Sequence, residues 1–163
     1  MADELWAPWR MEYILGSKAD TCIFCLPNSH EEDEERLVLH RGSRAFIIMN
    51  RHPYACGHLM VTPLRHIREY CDLLEEEYSE LFLLSQLCVA VLRRHSAPHG
   101  FNLGFNLGSA AGAGLTEHLH YHVVPRWNGD SSFMAVFAET RVLSQHLRET
   151  YAQLKPYFKN SIA

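Results

Sequence analysis

Residues 118–124 read His-Leu-His-Tyr-His-Val-Val, and this stretch decides the fold of the chain. Histidines alternate with apolar residues, which is the period-two pattern of a β-strand with one buried face. In such a strand His118, His120 and His122 share one face at intervals of roughly 6.6 to 6.8 Å. Histidine can act as a base, an acid, a nucleophile or a metal ligand near neutral pH. The stretch therefore predicts both a strand of a sheet and a reactive site.

Three interpretations of the histidines are open from the residues alone. They could be incidental members of a strand, they could bind a metal ion, or one could be the nucleophile of a phosphoryl or nucleotidyl transfer. The preceding loop, 108–114, has no bulky side chain, so its N–H groups can approach an anionic oxygen closely. It lacks the Gly-Lys-Ser or Gly-Lys-Thr ending of a phosphate loop, and a plain flexible connection is the alternative. Joined directly to three imidazoles, the loop favours phosphate chemistry.

The composition is typical of an ordinary globular domain. The chain has 163 residues, of which 47% are hydrophobic and 21% charged, which suits one domain with a substantial core. The net charge of −4 gives no general attraction to a nucleic acid polymer or an anionic membrane. The sequence contains neither a basic, apolar leader nor an apolar run of roughly 18 residues, so we expect a cytoplasmic protein. Five scattered cysteines favour reduced thiols, and we expect a small-molecule ligand and no organic cofactor.

The remaining pattern predicts an α+β fold, with an antiparallel sheet of about five strands and a long helix on one face. The predicted strands are 37–40, 45–49, 58–62, 100–107 and 118–124. In the fourth of these, the Phe and Leu side chains are expected to face the core. The long amphipathic helix is expected over 72–95 with Asp72 as its N-cap, and a C-terminal helix over about 142–155 that stops at Pro156. The acidic run 29–35 is expected to be a solvated loop.

These residues resemble the histidine triad (HIT) superfamily of nucleotide hydrolases and transferases. Besides the triad, the similar stretches are Cys22-Ile23-Phe24-Cys25, Gly57-His58-Leu59-Met60-Val61-Thr62-Pro63 and Pro125-Arg126-Trp127. Residues 5–10 and the Ala- and Gly-rich loop resemble the bacterial branch that includes diadenosine tetraphosphate phosphorylases. The resemblance covers nearly the whole chain. It implies a HIT-like fold in a single domain over 1–163, with the Cys-x-x-Cys pair in an N-terminal segment 1–26. It also implies a homodimer in which edge strands and long helices meet.

The resemblance also implies which histidine does what. In the superfamily the middle histidine is the nucleophile, so His120 would attack the α-phosphorus of a nucleotide and form a covalent nucleotidyl-histidine, while His122 would bind the phosphate oxygens. An acceptor would then remove the nucleotide. Phosphorolysis of a dinucleoside polyphosphate, with inorganic phosphate as acceptor, is the activity expected first. The alternatives are a hydrolase that releases a nucleoside monophosphate from dinucleotides or phosphoramidates, and a nucleotide-binding sensor without useful turnover.

A further set of residues is implied to bind the nucleotide. This set is Asn50, Asn106, Gly108, Gly114, Leu115, Thr116 and His122. Asn50 would contact the ribose, with a turn-forming asparagine as the alternative. Leu115 and Glu117 stand where many relatives carry a hydroxyl or glutamine side chain, which leaves Thr116 as the nearby hydroxyl and puts a side-chain oxyanion contact at the other two positions in doubt.

Cys22 and Cys25 form a separate constellation. Two thiolates at this spacing can bind one metal ion, and an unliganded pair or a thioredoxin-like redox pair are the alternatives. No βαβ pattern surrounds them to favour redox chemistry. The resemblance implies that His66 and His118 complete a structural zinc site with the two cysteines. With His118 used there, a hydrolytic zinc held by all three triad histidines is disfavoured.

Overall fold

The computed structural model describes residues 22–130 and 145–160 of the chain. Its helices and strands, in chain order, are α1 (Asp33–Arg36), β1 (Val38–Arg41), β2 (Ala45–Met49), β3 (Leu59–Pro63), α2 (Glu75–Ser96), β4 (Gly100–Phe105), β5 (Tyr121–Arg126) and α3 (Leu147–Asn160). Short 3-10 turns lie before α2 (Tyr70–Asp72) and after β4 (Ser109–Ala111). The stretch 5–10 and the predicted start of the C-terminal helix at Val142 lie outside the described residues.

The five strands form one antiparallel sheet, which confirms the predicted α+β fold. The strand order is β1-β2-β3-β5-β4, and every neighbouring pair is antiparallel. All residues of the central strands β2 and β3 are buried, which explains why their sequences are continuous apolar runs. The first three predicted strands agree with the observed ones to within one residue at each end. Among the described residues, no helix is long and apolar enough to span a membrane.

Apolar side chains pack on both faces of the sheet because successive residues of a strand point to opposite faces. The larger cluster joins one face to α2 and α3, and burial of each Leu or Phe in it contributes roughly 1.5 to 3 kcal/mol. The smaller cluster, called here the Phe24 cluster, contains Phe24, Val38, Phe46, Ile48 and Met60. Met60 is the register partner of His122. The Phe24 cluster and the histidines therefore lie on the same face.

Helix α2 begins three residues later than predicted, and Asp72 is not its N-cap. Asp72 ends the 3-10 turn, and Leu74 occupies the cap position. The backbone N–H of Leu74 donates to the Glu77 carboxylate over 3.0 Å, so a side chain from the first turn replaces the expected cap. Arg65 donates twice to the same carboxylate, and these bonds lower the pKa of Glu77. The end of β3 is thereby tied to the start of α2.

Helix α3 does not stop at Pro156, as predicted, but continues through it to Asn160. A proline inside a helix removes one backbone hydrogen bond. Continuing the helix buries Phe158, which is 1% exposed in the larger cluster, and this burial favours the longer helix. The Tyr151 hydroxyl and the Lys155 ammonium both donate to the carbonyl of Val38. These two bonds fasten α3 to the edge strand β1.

Two other sequence predictions are wrong in part, although the acidic run is exposed apart from Asp33. The acidic run contains the short helix α1, and its Asp33 is 8% exposed because it pairs with Arg41. In the fourth strand, Phe101 and Phe105 pack against the core, but Leu103 is 48% and Leu107 50% exposed. Strand β4 lies at an edge of the sheet, and Leu107 lies beyond its end. Apolar alternation therefore does not mark burial in this strand.

Candidate active site

The three triad histidines lie where the chain enters β5, and all are buried. Only His122 belongs to the regular strand, which begins at Tyr121 and not at the predicted position 118. The irregular approach is held by a 2.7 Å hydrogen bond from the N–H of Leu119 to the carbonyl of Ile67. The rings of His120 and His122 are 4.9 Å apart between centroids. The structure thus keeps these two imidazoles adjacent although the strand pattern is broken before them.

The hydrogen bond of His120 determines which of its nitrogens is free to react. Its Nδ1 lies 2.9 Å from the carbonyl oxygen of His118, and because a carbonyl only accepts, Nδ1 must carry the proton. The lone pair is therefore on Nε2. Burial lowers the pKa of His120, so the ring is neutral at pH 7. A neutral imidazole with an unprotonated Nε2 is the form that a nucleophile requires.

A fourth histidine, His58, sets the protonation of His122. The backbone N–H of Tyr54 donates to Nδ1 of His58 over 3.0 Å, so His58 carries its proton on Nε2. That Nε2 lies 2.9 Å from Nδ1 of His122, which makes Nδ1 the acceptor and leaves the proton of His122 on Nε2. Burial and the nearby His120 lower the pKa of His122 to about 4. His122 is consequently a neutral hydrogen-bond donor beside the nucleophile.

Asn106 lies close to the same donor, just after β4. Its amide nitrogen is placed 3.4 Å from Nε2 of His122. Because that Nε2 carries a proton, the amide oxygen is the atom that should face it, since the two amide positions differ only in the assignment of O and N. The amide NH2 group is then directed to the other side. The amide NH2 group can donate to an anionic oxygen, and the Nε2–H of His122 can do so when that oxygen replaces its 3.4 Å contact with Asn106.

Asn50 has the turn-forming contact that was the alternative to ribose binding. Its side-chain oxygen accepts the N–H of His52 over 2.8 Å, which is an Asx turn. Its amide nitrogen lies 3.3 Å from Nδ1 of His58. Asn50 is therefore adjacent to His58, and its turn contact uses the amide oxygen only.

The loop that joins β4 to the triad is open and largely exposed. Gly108 has φ +78° and Gly112 has φ +88°, and a Cβ added at either of them or at Gly114 would meet nothing within 4 Å. These backbone angles disfavour other residues. Leu115 packs against the Phe24 cluster, and the Thr116 hydroxyl donates to the Glu117 carboxylate over 2.9 Å. The loop thus leaves room for a ligand, with Leu115 as its apolar anchor.

The four predicted metal ligands come together. Their donor atoms all lie within 4.8 Å of one another, and the residues are Cys22, Cys25, His66 and His118. The Sγ of Cys22 is 3.3 Å from Nδ1 of His118, and the Sγ of Cys25 is 3.3 Å from Nδ1 of His66. Two thiols and two imidazoles at this separation are a donor set that suits tetrahedral zinc. We call these four residues the donor cluster.

Protonation in the donor cluster also suits a cation. His118 donates from Nε2 to the carbonyl of Pro63 over 2.9 Å, so the lone pair of Nδ1 faces the sulfur atoms, and such a bond to the second nitrogen is usual for metal-binding histidines. Burial lowers the pKa of His118 and favours the neutral form that binds a metal. Burial and the nearby Cys22 raise the pKa of the Cys25 thiol. A bound cation would offset this cost of forming two neighbouring thiolates.

Sequence reasoning missed three residues of the site. His58 is 0% exposed, and its position at the head of the apolar strand β3 was the available signal, because a buried imidazole needs partners. Tyr54 stacks on His122 with ring centroids 5.8 Å apart. The ring of Phe24 lies 5.0 Å from that of His120. Neither ring is marked by a sequence pattern, since both lie in irregular segments.

Comparisons with known proteins agree with this geometry. Residues 31–129 match the HIT domain. The chain is 42% identical to the AP-4-A phosphorylase of Mycobacterium tuberculosis over 90% of this chain and 79% of that protein. It is 28% identical to the bis(5'-adenosyl)-triphosphatase of Dictyostelium discoideum over 72% of this chain and 82% of that protein. Among solved structures, a zinc-bound histidine triad family protein from Mycobacterium smegmatis has a TM-score of 0.62 and 26% identity over 76% of this chain and 84% of that chain.

Proposed function

Because the chain belongs to the HIT domain family, we propose that it is a nucleotidyltransferase that phosphorolyses dinucleoside polyphosphates such as diadenosine tetraphosphate. One observation carries this proposal. The unprotonated Nε2 of His120 stands beside the protonated Nε2 of His122. A nucleophile and a hydrogen-bond donor for phosphate oxygens are the two groups that a covalent nucleotidyl transfer needs. The identity to a phosphorylase from Mycobacterium tuberculosis supports the choice of substrate.

The reaction then has two balanced displacements. In the first, Nε2 of His120 forms a bond to the α-phosphorus, the P–O bond to the leaving ATP breaks, and adenylyl-histidine remains. In the second, an oxygen of inorganic phosphate attacks the same phosphorus and the P–N bond breaks, which releases ADP. His122 donates to the phosphorus-bound oxygens in both steps. Loss of one such positioned donor to a developing charge costs roughly 10² to 10³ in rate.

The nucleotide-binding set supplies the remaining contacts in this proposal. Asn106 donates to the phosphate oxygens together with His122, and the backbone at Gly108 and Gly114 approaches them closely because neither glycine carries a side chain. Leu115 and Thr116 border the phosphate groups through main-chain groups, since the Thr116 hydroxyl is bonded to Glu117. Asn50 binds the ribose through the second hydrogen of its amide nitrogen, since the first is directed at His58.

We also propose that the donor cluster binds structural zinc. The zinc-bound relative from Mycobacterium smegmatis supports this choice of metal. Zinc with four protein ligands has no open position for a substrate, so its contribution is to stability and not to bond cleavage. We expect EDTA to lower the melting temperature of the purified protein, and the Cys25→Ser variant to show a smaller decrease. Equal melting temperatures with and without EDTA, in protein shown by elemental analysis to contain zinc, would contradict the structural role.

The second copy in the implied homodimer would cover a band of aromatic rings. The rings follow one another from the edge strand to α2, and the centroids of neighbouring rings are separated by 4.6 to 5.4 Å. We call this the aromatic band, and it consists of Tyr70, Phe105, Tyr121, Phe82 and Tyr78. Two of its rings, Tyr70 and Tyr78, are 39% and 44% exposed. Exposed rings in a continuous apolar band are typical of a protein interface.

The single domain over 1–163 and the cytoplasmic location remain predictions from the sequence.

Product analysis with diadenosine tetraphosphate tests the proposed reaction. With inorganic phosphate we expect ADP and ATP, and without it almost no turnover. The control is His120→Ala, in which binding of the dinucleotide should persist while turnover falls by several orders of magnitude.

The other results of this experiment select the alternatives. Release of AMP at the same rate with and without phosphate would identify a hydrolase, as the relative from Dictyostelium discoideum is named. Tight binding without turnover under either condition would identify a nucleotide-binding sensor. Turnover in His120→Ala equal to that of the wild type would exclude the covalent intermediate.

A further inference from the structure

The loop between the two cysteines also packs against the nucleophile. A hydrogen bond of 3.1 Å from the N–H of Cys25 to the carbonyl of Cys22 closes this turn, and Phe24 lies inside it. The side chain of Phe24 is 3% exposed. Its ring centroid lies 5.0 Å from that of His120 and 5.6 Å from that of His118. One short turn therefore carries two members of the donor cluster and a ring in contact with His120.

We propose that Phe24 is a positioning residue that transmits the state of the donor cluster to the imidazole of His120. This inference rests on the proposed function, in which His120 is the nucleophile. Phe24 contacts no reacting atom in this scheme. It acts through the orientation of the His120 ring.

His120 needs such a contact because its hydrogen bond to the carbonyl of His118 does not fix the full orientation of the ring. The bond from Nδ1 to the carbonyl of His118 determines which nitrogen carries the proton, but a ring can still tilt about a single bond. Phe24 packs on the ring at an interplanar angle of 43°, and His122 meets it at 76°. These two rings restrict the tilt. A displacement of about 1 Å at a reacting atom can cost roughly 10²-fold in rate.

The donor cluster controls where Phe24 lies. The two sulfur atoms contact His66 and His118 at 3.3 Å, and a metal shared by all four donors would hold the turn against these histidines. Behind the ring, the remaining members of the Phe24 cluster give apolar support but no directional bond. The metal-bound turn would therefore hold Phe24 against His120 more firmly than apolar packing alone.

A matched pair of variants separates positioning from general packing. Phe24→Leu and Phe46→Leu each remove one ring from the Phe24 cluster, but of these two rings it is that of Phe24 that lies against triad histidines. For zinc-loaded Phe24→Leu we expect kcat to fall about 10- to 100-fold, with KM for diadenosine tetraphosphate within about threefold of the wild type. Phe46→Leu should change both constants by less than about threefold. A rise in KM without loss of kcat in Phe24→Leu would overturn the proposal.

A measurement independent of turnover completes the test. The ¹⁵N chemical shifts of histidine ring nitrogens report which nitrogen carries the proton. A His120 ring that is free to tilt makes a weaker bond from Nδ1 to the carbonyl of His118, and its proton then divides between the two nitrogens. We expect one tautomer of His120, with the proton on Nδ1, in zinc-loaded wild type and in Phe46→Leu, and a mixture of tautomers in zinc-loaded Phe24→Leu. Wild type treated with EDTA should show the same mixture. An unchanged single tautomer in Phe24→Leu would overturn the proposal.

A failure of the proposed function and a failure of the positioning role of Phe24 would give different results. Absence of turnover in the wild type would contradict the proposed function, while the spectra would still decide the role of Phe24. If the wild type unfolds in EDTA, the two zinc-loaded variants still decide it, because both retain the metal and differ only in the ring that is lost. Normal turnover in the wild type with identical spectra in all three zinc-loaded proteins would reject the positioning role alone.

Discussion

At the scale of single residues, main-chain groups assign a different role to each imidazole. The Tyr54 N–H donates to Nδ1 of His58. The carbonyl of His118 accepts a hydrogen bond from Nδ1 of His120, and the carbonyl of Pro63 accepts one from Nε2 of His118. These bonds leave one lone pair for the substrate and another for a metal. The triad strand makes the three histidines look equivalent. Their separate roles come from carbonyl and amide groups of irregular segments.

The lowered pKa of His122 predicts a loss of stability in acid. Its pKa is about 4 in the folded protein against 6.5 for the ordinary group, so below pH 6.5 the unfolded chain binds a proton that the folded protein does not. The free energy of unfolding should be unaffected by His122 above pH 7 and should fall between pH 6.5 and pH 4. The full difference corresponds to at most about 3 kcal/mol. Urea unfolding at pH 7.5 and 4.5, in EDTA to exclude metal release, measures it.

The variant His122→Asn should lose less stability over this pH range than the wild type. His99→Asn removes an exposed imidazole and should lose as much as the wild type. Parallel losses in all three proteins would mean that His122 is not kept neutral by the fold.

Thr62 predicts a gain in stability on substitution. It is 0% exposed, and its hydroxyl has no hydrogen-bond partner among the described residues. Removing a buried polar group without a partner stabilises a protein, so Thr62→Val should raise the free energy of unfolding by about 1 kcal/mol. Thr150→Val is the contrasting variant, because that buried hydroxyl donates to the carbonyl of His146. Thr150→Val should lower the free energy of unfolding. A lower free energy of unfolding in both variants would show that the Thr62 hydroxyl has a hydrogen-bond partner in solution.

At the scale of helices and strands, burial decides which sequence predictions succeed. The apolar runs of β2 and β3 predicted buried strands correctly, because strands covered on both faces need apolar residues throughout. Helix starts and stops were less predictable. Asp72 is a good N-cap by type, but the Arg65 and Glu77 pair fixes the helix start elsewhere. Pro156 is a helix breaker by type, but the burial of Phe158 extends the helix past it.

The residues of the candidate site also fall into two groups, those that the sequence predicts and those that it does not. The structure brings together all four members of the donor cluster and places Asn106 close to His122. It adds His58, Tyr54 and Phe24, which depend on contacts between segments far apart in the sequence. A motif gives residue types at fixed spacing. The direction of a hydrogen bond or the packing of a ring depends on the whole fold.

The attachment of α3 to β1 gives a prediction at this scale. Tyr151→Phe removes the hydroxyl that donates to the carbonyl of Val38, and loss of such a bond costs about 1 kcal/mol. Lys155 donates to the same carbonyl, so Tyr151→Phe and Lys155→Met combined should cost more than the sum of the two single variants. Thermal or urea unfolding measures this coupling. Tyr78→Phe, in α2, is the control and should change stability by less than about 0.5 kcal/mol, and strictly additive losses would mean that the two donors do not share the carbonyl.

At the scale of the whole molecule, a group of exposed apolar side chains lies at the β4 edge of the sheet. Strand β4 is an edge strand, and its Leu103, which shares a face with Phe101 and Phe105, is 48% exposed. The aromatic band runs from this edge to α2. An edge strand offers unpaired backbone groups, and a second copy can cover both these groups and the exposed rings. Strand β5, which bears His122, is the neighbour of β4 in the sheet. Pairing of a second copy at β4 would therefore stiffen β5.

This arrangement predicts a dimer that one charge can dissociate. Light scattering after gel filtration should give twice the chain mass of 18.8 kDa for the wild type. Leu103→Glu should give the chain mass itself, because a carboxylate buried in an apolar interface costs several kcal/mol. Leu64→Glu places the same charge on a side chain that is 36% exposed outside the aromatic band, and it should leave the dimer intact. Dissociation by both variants would indicate general destabilisation, and a wild type of 18.8 kDa at micromolar concentration would rule out the dimer.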